Sequence, residues 1–389
     1  MIPEKIRKGL KDIIEEEELS NIFSSSSQIR VKLGIDPTAS VIHLGHLALL
    51  LKLREFQRYG CEIILIIGDF TAKIGDPSGR TVDRPLLHKD EIERNADNIE
   101  KIVKKFLSGD NLRILYNSSW LSDISADEIF LLFSKFTVQR LLSRDDFKSK
   151  ISEGEPLFTH RFLYPFLQAY DSVITKADIE LGGHDQIFNL LLARDMQKSF
   201  NLKPQVCITL PLIEGTCGKL KMSKSYNNYI AVDEKPEDVY GKTMGIPDEL
   251  MNKYFLLLTD IPEKEIEKMN EKMLKFDMKR KLAYEITKII FDEKSASNAQ
   301  EWFDQTIRKK VIPENIEEIT YNLENESEIS VSKLLKRIGL LKSTSEALRI
   351  IQQGGVEING KRINSDEKIK RGEYLTRVGK LKFAKIIVN

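Results

Sequence analysis

Three cysteines in 389 residues leave little room for covalent or metal scaffolding. Cys61, Cys207 and Cys217 are odd in number and far apart, form no CxxC pair and have no histidine at zinc-like spacing. A disulfide framework and structural zinc are therefore not expected, and the thiols read as reduced, as in a cytoplasmic protein. Long apolar runs are also missing. Ala48 to Leu51 and Ile63 to Ile67 fall far short of the ~18 residues that a membrane span requires. The charged start MIPEKIRKGLKDIIEEEE has no apolar signal-peptide core, so neither membrane insertion nor secretion is expected. Net charge is nearly absent as well, with 60 Lys+Arg against 59 Asp+Glu. That total hides a division. Residues 331–389 hold 14 basic and 5 acidic residues, a net of +9, which leaves −8 on residues 1–330. A basic domain at one end of an acidic body points to a polyanionic partner met at that end.

What is present is a βα alternation. Val31–Ile35, Cys61–Ile67, Leu112–Tyr116, Ala177–Leu181 and Gln205–Leu210 are short β-branched runs separated by longer helical patterns, which predicts a parallel sheet with crossover helices. Between the first two, His46–Tyr59 places Leu47, Leu50, Leu51 and Arg54 on one helical face before Gly60 ends it. The expected fold class is α/β, a Rossmann-like doubly wound catalytic domain over residues 1–232. Ligands then belong at the carboxyl ends of the strands, where LGIDPTAS and IGDFTAKIGDPSGR lie. From residue 233 to 312 the pattern is of charged helices, including Lys264–Leu274 and Arg280–Phe291, without strands. Residues 313–330, with six Glu and no basic residue, read as an acidic linker. Residues 331–389 read as a small α+β domain: helices over Val331–Leu340 and Ser345–Gln353, an Asn-Gly turn in VEINGKRI, and a last strand pair around Tyr374–Val388.

Two motifs carry chemistry. His43-Leu44-Gly45-His46 stands between the first strand and its helix, where free backbone N–H groups face an anion and a flat base could lie on the glycine backbone. Alone it is weak, since a histidine pair at a helix start is more often a hydrogen-bonded surface feature. Lys221-Met222-Ser223-Lys224-Ser225 is far more specific: a fixed pentapeptide arises by chance in a chain this long with probability on the order of 10⁻⁴. Two lysines and two hydroxyls suit a pyrophosphate leaving group, whose negative charge grows in the transition state. Tyr164, Gln168 and Asp171 recur at i, i+4 and i+7, so three polar groups share one helix face. Such a face is costly unless it binds something or is satisfied internally.

With HLGH and a complete KMSKS, the chain resembles the class I aminoacyl-tRNA synthetases. GIDPTAS, IGDPSGR, YPFLQAYD and GGHDQ make it similar to the bacterial tyrosyl-tRNA synthetases over essentially its whole length. The resemblance implies activation of L-tyrosine by ATP to an adenylate, then transfer to the 3' end of tRNA(Tyr). Asp171 is implied to accept the substrate phenol, Tyr164, Gln168 and Asp76 to hold its ammonium group, and Gln186 to lie near its carboxylate. Asp36, Gly45, Gly183 and Asp185 are implied to bind adenosine, with Thr38, His43 and His46 on the phosphates. Lys221, Met222, Lys224 and Ser225 would close from the opposite side, assisted by Arg80 and Arg84. ATP implies Mg²⁺, held mostly by phosphates and water, with no tightly bound cofactor. A homodimer is implied as well.

Two positions depart from the family pattern. Lys32 replaces a Tyr that often also contacts the substrate hydroxyl, leaving Asp171 alone or with another partner, and His184 puts bulk at the ribose pocket where a small hydroxyl residue is common. His88 and His160 read as structural or surface residues. Residues 331–389 resemble the RNA-binding domain named after ribosomal protein S four, with Lys333, Arg337, Arg349, Lys361 and Arg362 as candidate phosphate contacts. The alternatives are a tryptophanyl-tRNA synthetase, disfavoured by YxxxQxxD and the basic tail, and a non-catalytic RNA-binding relative, disfavoured by the intact ATP motifs.

Overall fold

The computed structural model describes residues 2–25, 28–76, 87–308, 317–323, 327–379 and 382–389. The chain divides into two compact units, residues 1–234 with 245–282, and residues 235–244 with 283–389. The helices expected over 233–312 are thus shared out: Met251–Leu258 and Glu263–Lys272 fall in the first unit, Pro236–Met244 and Glu293–Phe303 in the second.

The first unit is built on a six-stranded sheet of β1 (Asp12–Ile14), β2 (Arg30–Ile35), β3 (Glu62–Ile67), β4 (Leu112–Tyr116), β5 (Ile179–Gly183) and β6 (Val206–Leu210), in the spatial order β1-β6-β5-β2-β3-β4. The five strands expected from sequence are all present and parallel. β1 was not foreseen; it pairs antiparallel to β6 at the edge and spans only three residues, too short to show a period. β3, EIILII, is buried from its second residue onward, as a central strand covered on both faces must be. Helix α1 (Leu44–Arg58) packs on β3 and β5 through Leu44, Leu47, Leu50 and Leu51, and α2 (His160–Thr175) packs on β2. The chain runs outward from β2 to β3 and β4, then returns to the other side of β2 for β5 and β6. That reversal makes β2 and β5 neighbours with diverging connections, the place where open α/β sheets bind ligands.

In the second unit, Tyr240, Ala283, Ala299 and Phe303 form one helical core cluster. The C-terminal part holds a five-stranded sheet in the order β10-β9-β12-β13-β7, from β7 (Glu317–Tyr321), β9 (Val356–Ile358), β10 (Lys361–Ile363), β12 (Gly372–Val378) and β13 (Lys382–Val388). β8 (Ile329–Ser330) pairs separately with β11 (Lys368–Ile369). Helices Val331–Arg337 and Thr344–Gln352 stand where they were expected. Asn359 (φ 50°) and Gly360 (φ 77°) both occupy the left-handed region that a two-residue hairpin between β9 and β10 demands. The acidic stretch read as a linker contributes β7 and β8 instead: Ile319 and Tyr321 pack on the C-terminal core while β7 pairs parallel to β13.

Candidate active site

A cavity of about 560 Å³ opens at the carboxyl ends of β2 and β5. One wall is the start of α1. The Gly45 N–H donates to His43 Nδ1 (3.1 Å), and the His43 N–H donates to His46 Nδ1 (3.3 Å). The two histidines therefore form a reciprocal cap, with rings 4.0 Å apart. Since each Nδ1 accepts, each ring carries its proton on Nε2. Burial holds His43 down at about 2, with help from His46 and Lys221, and burial alone holds His46 at about 4. The pair is thus neutral at physiological pH and offers two N–H donors. Gly45 has a further local reason: a Cβ there would stand 3.0 Å from His43 Cε1 and push the capping ring away.

The opposite wall is the KMSKS hairpin. Met222 is buried and its N–H donates to the Ile213 carbonyl (2.7 Å), while Lys221 bridges to Glu214 in the backbone and reaches Asp185 with its ammonium (3.1 Å). Asn228 is the hub of this loop. Its side chain accepts from the Ser223 N–H (2.9 Å) and donates to the carbonyls of Leu220 and Lys221. Glu214, at the base, is gripped by Lys253 (2.7 Å), and its carbonyl accepts from the Tyr254 hydroxyl. Lys224 and Ser225 remain exposed at the tip.

At the deep end, Tyr164, Gln168 and Asp171 project from α2 into the same cavity. Asp171 is 4% exposed, accepts from Trp120 Nε1 (2.9 Å) and Asn117 Nδ2 (3.3 Å), and is pushed up to about 7 by burial, against the pull of Lys32 and those two donors. Asp76 accepts from Gln186 Nε2 (2.6 Å) and lies 3.5 Å from Arg144. Asn189 ties Gln168 (2.9 Å) to Gln186 (3.0 Å), so the polar face is cross-braced. Asp36 accepts from the Thr71 hydroxyl (2.8 Å).

Thr38, Gly183, Asp185, Gln186, Asp36 and Asp76, with every residue of both motifs except the core residue Leu44, line this one cavity. Arg80 and Arg84 lie outside the described residues. Two expectations are refined. Lys32 does not line the cavity; it lies beneath it, paired with Glu180. His184 contacts Asp12 (2.7 Å) and does not line the cavity. Sequence reasoning missed Asn117, Trp120, Arg144, Asn189 and Asn228. Asn117 and Trp120 follow β4 at the carboxyl end of a parallel strand, a usable signal. Arg144 had none. His88 and His160 are exposed, as expected.

In the C-terminal part, Lys333, Arg337, Arg349, Lys361 and Arg362 are all exposed. Arg337 donates to the Tyr321 hydroxyl and lies over that ring, and Arg362 pairs with Glu357 (3.4 Å).

Residues 24–308 match the family of class I tRNA synthetases (W and Y), and residues 331–373 match the S4 domain. The first match leaves tryptophan and tyrosine open. Full-length relatives decide between them: the tyrosine–tRNA ligase of Thermotoga maritima is 47% identical, covering 99% of this chain and 98% of its own length, and that of Aquifex aeolicus is 45% identical over the whole of both. This chain belongs to the tyrosine–tRNA ligase family. Solved tyrosyl-tRNA synthetases share the fold at low identity. The Aspergillus nidulans mitochondrial enzyme superposes with a TM-score of 0.67 at 20% identity, over 78% of this chain and 94% of its own. The Archaeoglobus fulgidus enzyme complexed with L-tyrosine superposes at 0.60 and 21%, over 76% and 98%. The HLGH cap and the KMSKS hairpin of this ligase therefore face each other across the carboxyl ends of the strands, on a frame shared with distant members.

Proposed function

We infer that the cavity carries out tyrosine activation, the first step of the tyrosine–tRNA ligase reaction, with the amino acid at the deep end and ATP between the two motif walls. The observation that carries this reading is the convergence of a buried acceptor, two neutral imidazole donors and a lysine-bearing hairpin on one cavity. Asp171 accepts the phenol, while Asp76, Gln168 and Tyr164 receive the ammonium group, and Gln186 lies near the carboxylate. Asp36, Gly45, Gly183 and Asp185 hold adenosine. The tyrosine carboxylate attacks the α-phosphorus, pyrophosphate leaves, and a terminal ribose hydroxyl of tRNA(Tyr) later attacks the acyl carbon and releases AMP.

Because both histidines are neutral Nε2–H donors, they stabilise charge on the pentacoordinate phosphorus without taking a proton. Thr38 adds a hydroxyl on the same side. Lys221 rests on Asp185; when the ribose takes that carboxylate, the ammonium is free to join Lys224 and Ser225 on the pyrophosphate, with Met222 anchoring the hairpin in the core. Mg²⁺ would arrive on the ATP phosphates, and the carboxylates of the cavity suit that arrangement, since Asp185 and Asp76 already have protein partners. Arg80 and Arg84 are assigned to the phosphates by family resemblance alone.

The basic residues of the S4 domain are proposed to hold tRNA phosphates. A homodimer is supported by exposed Phe130, Leu131, Val138, Ile151 and Phe158, all within residues 130–158 of the first unit; sedimentation as a 44.7 kDa monomer would overturn it. Buried Cys61 and Cys207, with no disulfide, suit a cytoplasmic setting. Amino-acid-dependent ATP–pyrophosphate exchange tests the central reading: exchange is expected with tyrosine, and exchange driven only by tryptophan would sink it.

A further inference from the structure

Beneath the tyrosine end of the cavity lies a buried ion pair that the reaction does not consume. Lys32 on β2 and Glu180 on β5 stand opposite each other in the parallel register, each 1% exposed, with Nζ 2.8 Å from Oε1. The Lys32 ammonium also donates to the Ser172 hydroxyl. Ser172 in turn donates to Glu180 Oε2 (3.0 Å), and Gln205 donates to the same oxygen. Ser172 directly follows Asp171 on α2. Glu180 lines the cavity together with Asp171, whereas Lys32 stays behind it.

Such a pair is a poor device for stability. Removing two charges from water costs about as much as their attraction returns, and apolar residues of similar volume usually serve as well. Its position suggests another use. The groups facing Asp171 are Glu180 from β5, which repels its charge, Lys32 from β2, which attracts it, and the neutral donors Trp120 and Asn117 from the segment after β4. Tyr164 on α2 adds a hydroxyl, and Asp36 and Asp76 add two further carboxylates along the same cavity. Asp76 has Arg144 beside it (3.5 Å), whereas the cation that acts on Asp171 is Lys32.

We propose that Lys32 is a positioning residue for tyrosine recognition: clamped by Glu180 and Ser172, its ammonium offsets the Glu180 carboxylate so that Asp171 meets the phenol as an ionised acceptor. The inference rests on the reading that Asp171 binds the phenol. Without the ammonium, two carboxylates would face each other in a buried space, and like charges so placed take up a proton. A protonated Asp171 is a weaker acceptor for a phenolic O–H than a carboxylate.

The test is the pH profile of kcat/KM for tyrosine in pyrophosphate exchange with the full-length protein, which reports the essential groups of the free enzyme. Lys32→Met is expected to move the acid limb upward by ~1 pH unit and raise the tyrosine KM at pH 7 by ~5-fold, with the KM for ATP unchanged. Glu180→Gln is expected to move the limb downward. The double variant, with both charges removed, is expected to return close to wild type. Opposed shifts that cancel are not what a merely structural pair produces. Should Lys32→Met fail to fold, Glu180→Gln and the double variant still decide the matter. Profiles of those two that superimpose on wild type, or move together, overturn the proposal. Asp171→Asn separates the two layers: an unchanged tyrosine KM in that variant refutes the phenol reading itself, whereas a large rise alongside unmoved Lys32 and Glu180 variants refutes only the role of Lys32.

Discussion

Asp171, the proposed acceptor of the phenol, sits in a place that makes it a reluctant carboxylate. Its folded value of about 7 lies above the ordinary 3.8, so the native state holds that proton more tightly than the unfolded chain. Stability tied to this group is therefore present at low pH and lost as pH rises from about 3.8 to about 7. Asp171→Asn is accordingly expected to raise Tm at pH 8 more than at pH 5, by at least ~2 °C, while tyrosine activation collapses. Thermal scans at the two pH values check this, and an equal Tm change at both would contradict it. At this scale the sequence was informative where spacing had meaning. Tyr164, Gln168 and Asp171 were legible because i, i+4 and i+7 is a helical face. For Trp120 and Asn117, which hold the carboxylate, their place after β4 marks the segment but not its partner, which is 51 or 54 residues away. Lys32 was noticed as a departure, yet its side chain reaches Glu180, a pairing that only the strand order β5-β2 creates.

At the level of elements, HLGH performs two tasks, closing the first turn of α1 and aiming two N–H groups into the cavity. They can be separated. His43→Asn retains a side-chain oxygen able to cap and loses the Nε2 donor, so adenylate formation should fall ~10²–10³-fold with little change in Tm. His43→Ala loses both and should cost a further ~1 kcal/mol of stability. Equal activity in His43→Asn and wild type, by single-turnover adenylate formation, would remove the histidine from the chemistry. The parallel strands were readable because central strands of an α/β sheet are continuous apolar runs, and the β9–β10 hairpin because Asn-Gly has one common use. The acidic composition of residues 313–330 matches a solvated linker, but Glu318, Ile319, Thr320 and Tyr321 alternate exposed and half-buried, which is also the pattern of a half-buried strand, and β7 is one.

The division of charge belongs to the whole molecule. A body of −8 offers a polyanion no general attraction, and the +9 of residues 331–389 is the proposed source of it for tRNA. Since β7 is part of the C-terminal sheet, a clean deletion must begin no later than Glu317. Removal of residues 317–389 is expected to spare tyrosine-dependent pyrophosphate exchange and to lower tRNA charging at least ~10-fold at physiological salt, with the defect narrowing as salt rises because the full chain loses more phosphate contacts to screening. Undiminished charging would dissociate the basic domain from tRNA.

The most direct test of the account is the ratio of kcat/KM for tyrosine to that for phenylalanine in adenylate formation, in wild type and in Asp171→Ala. A discrimination of about 10⁵, a value known for this enzyme class and taken over here, is expected in the wild type, because phenylalanine leaves the buried acceptor unpaired. The ratio should collapse in the variant through loss of activity toward tyrosine. A ratio that survives the loss of Asp171 would contradict the assignment of the deep end of the cavity to the phenol.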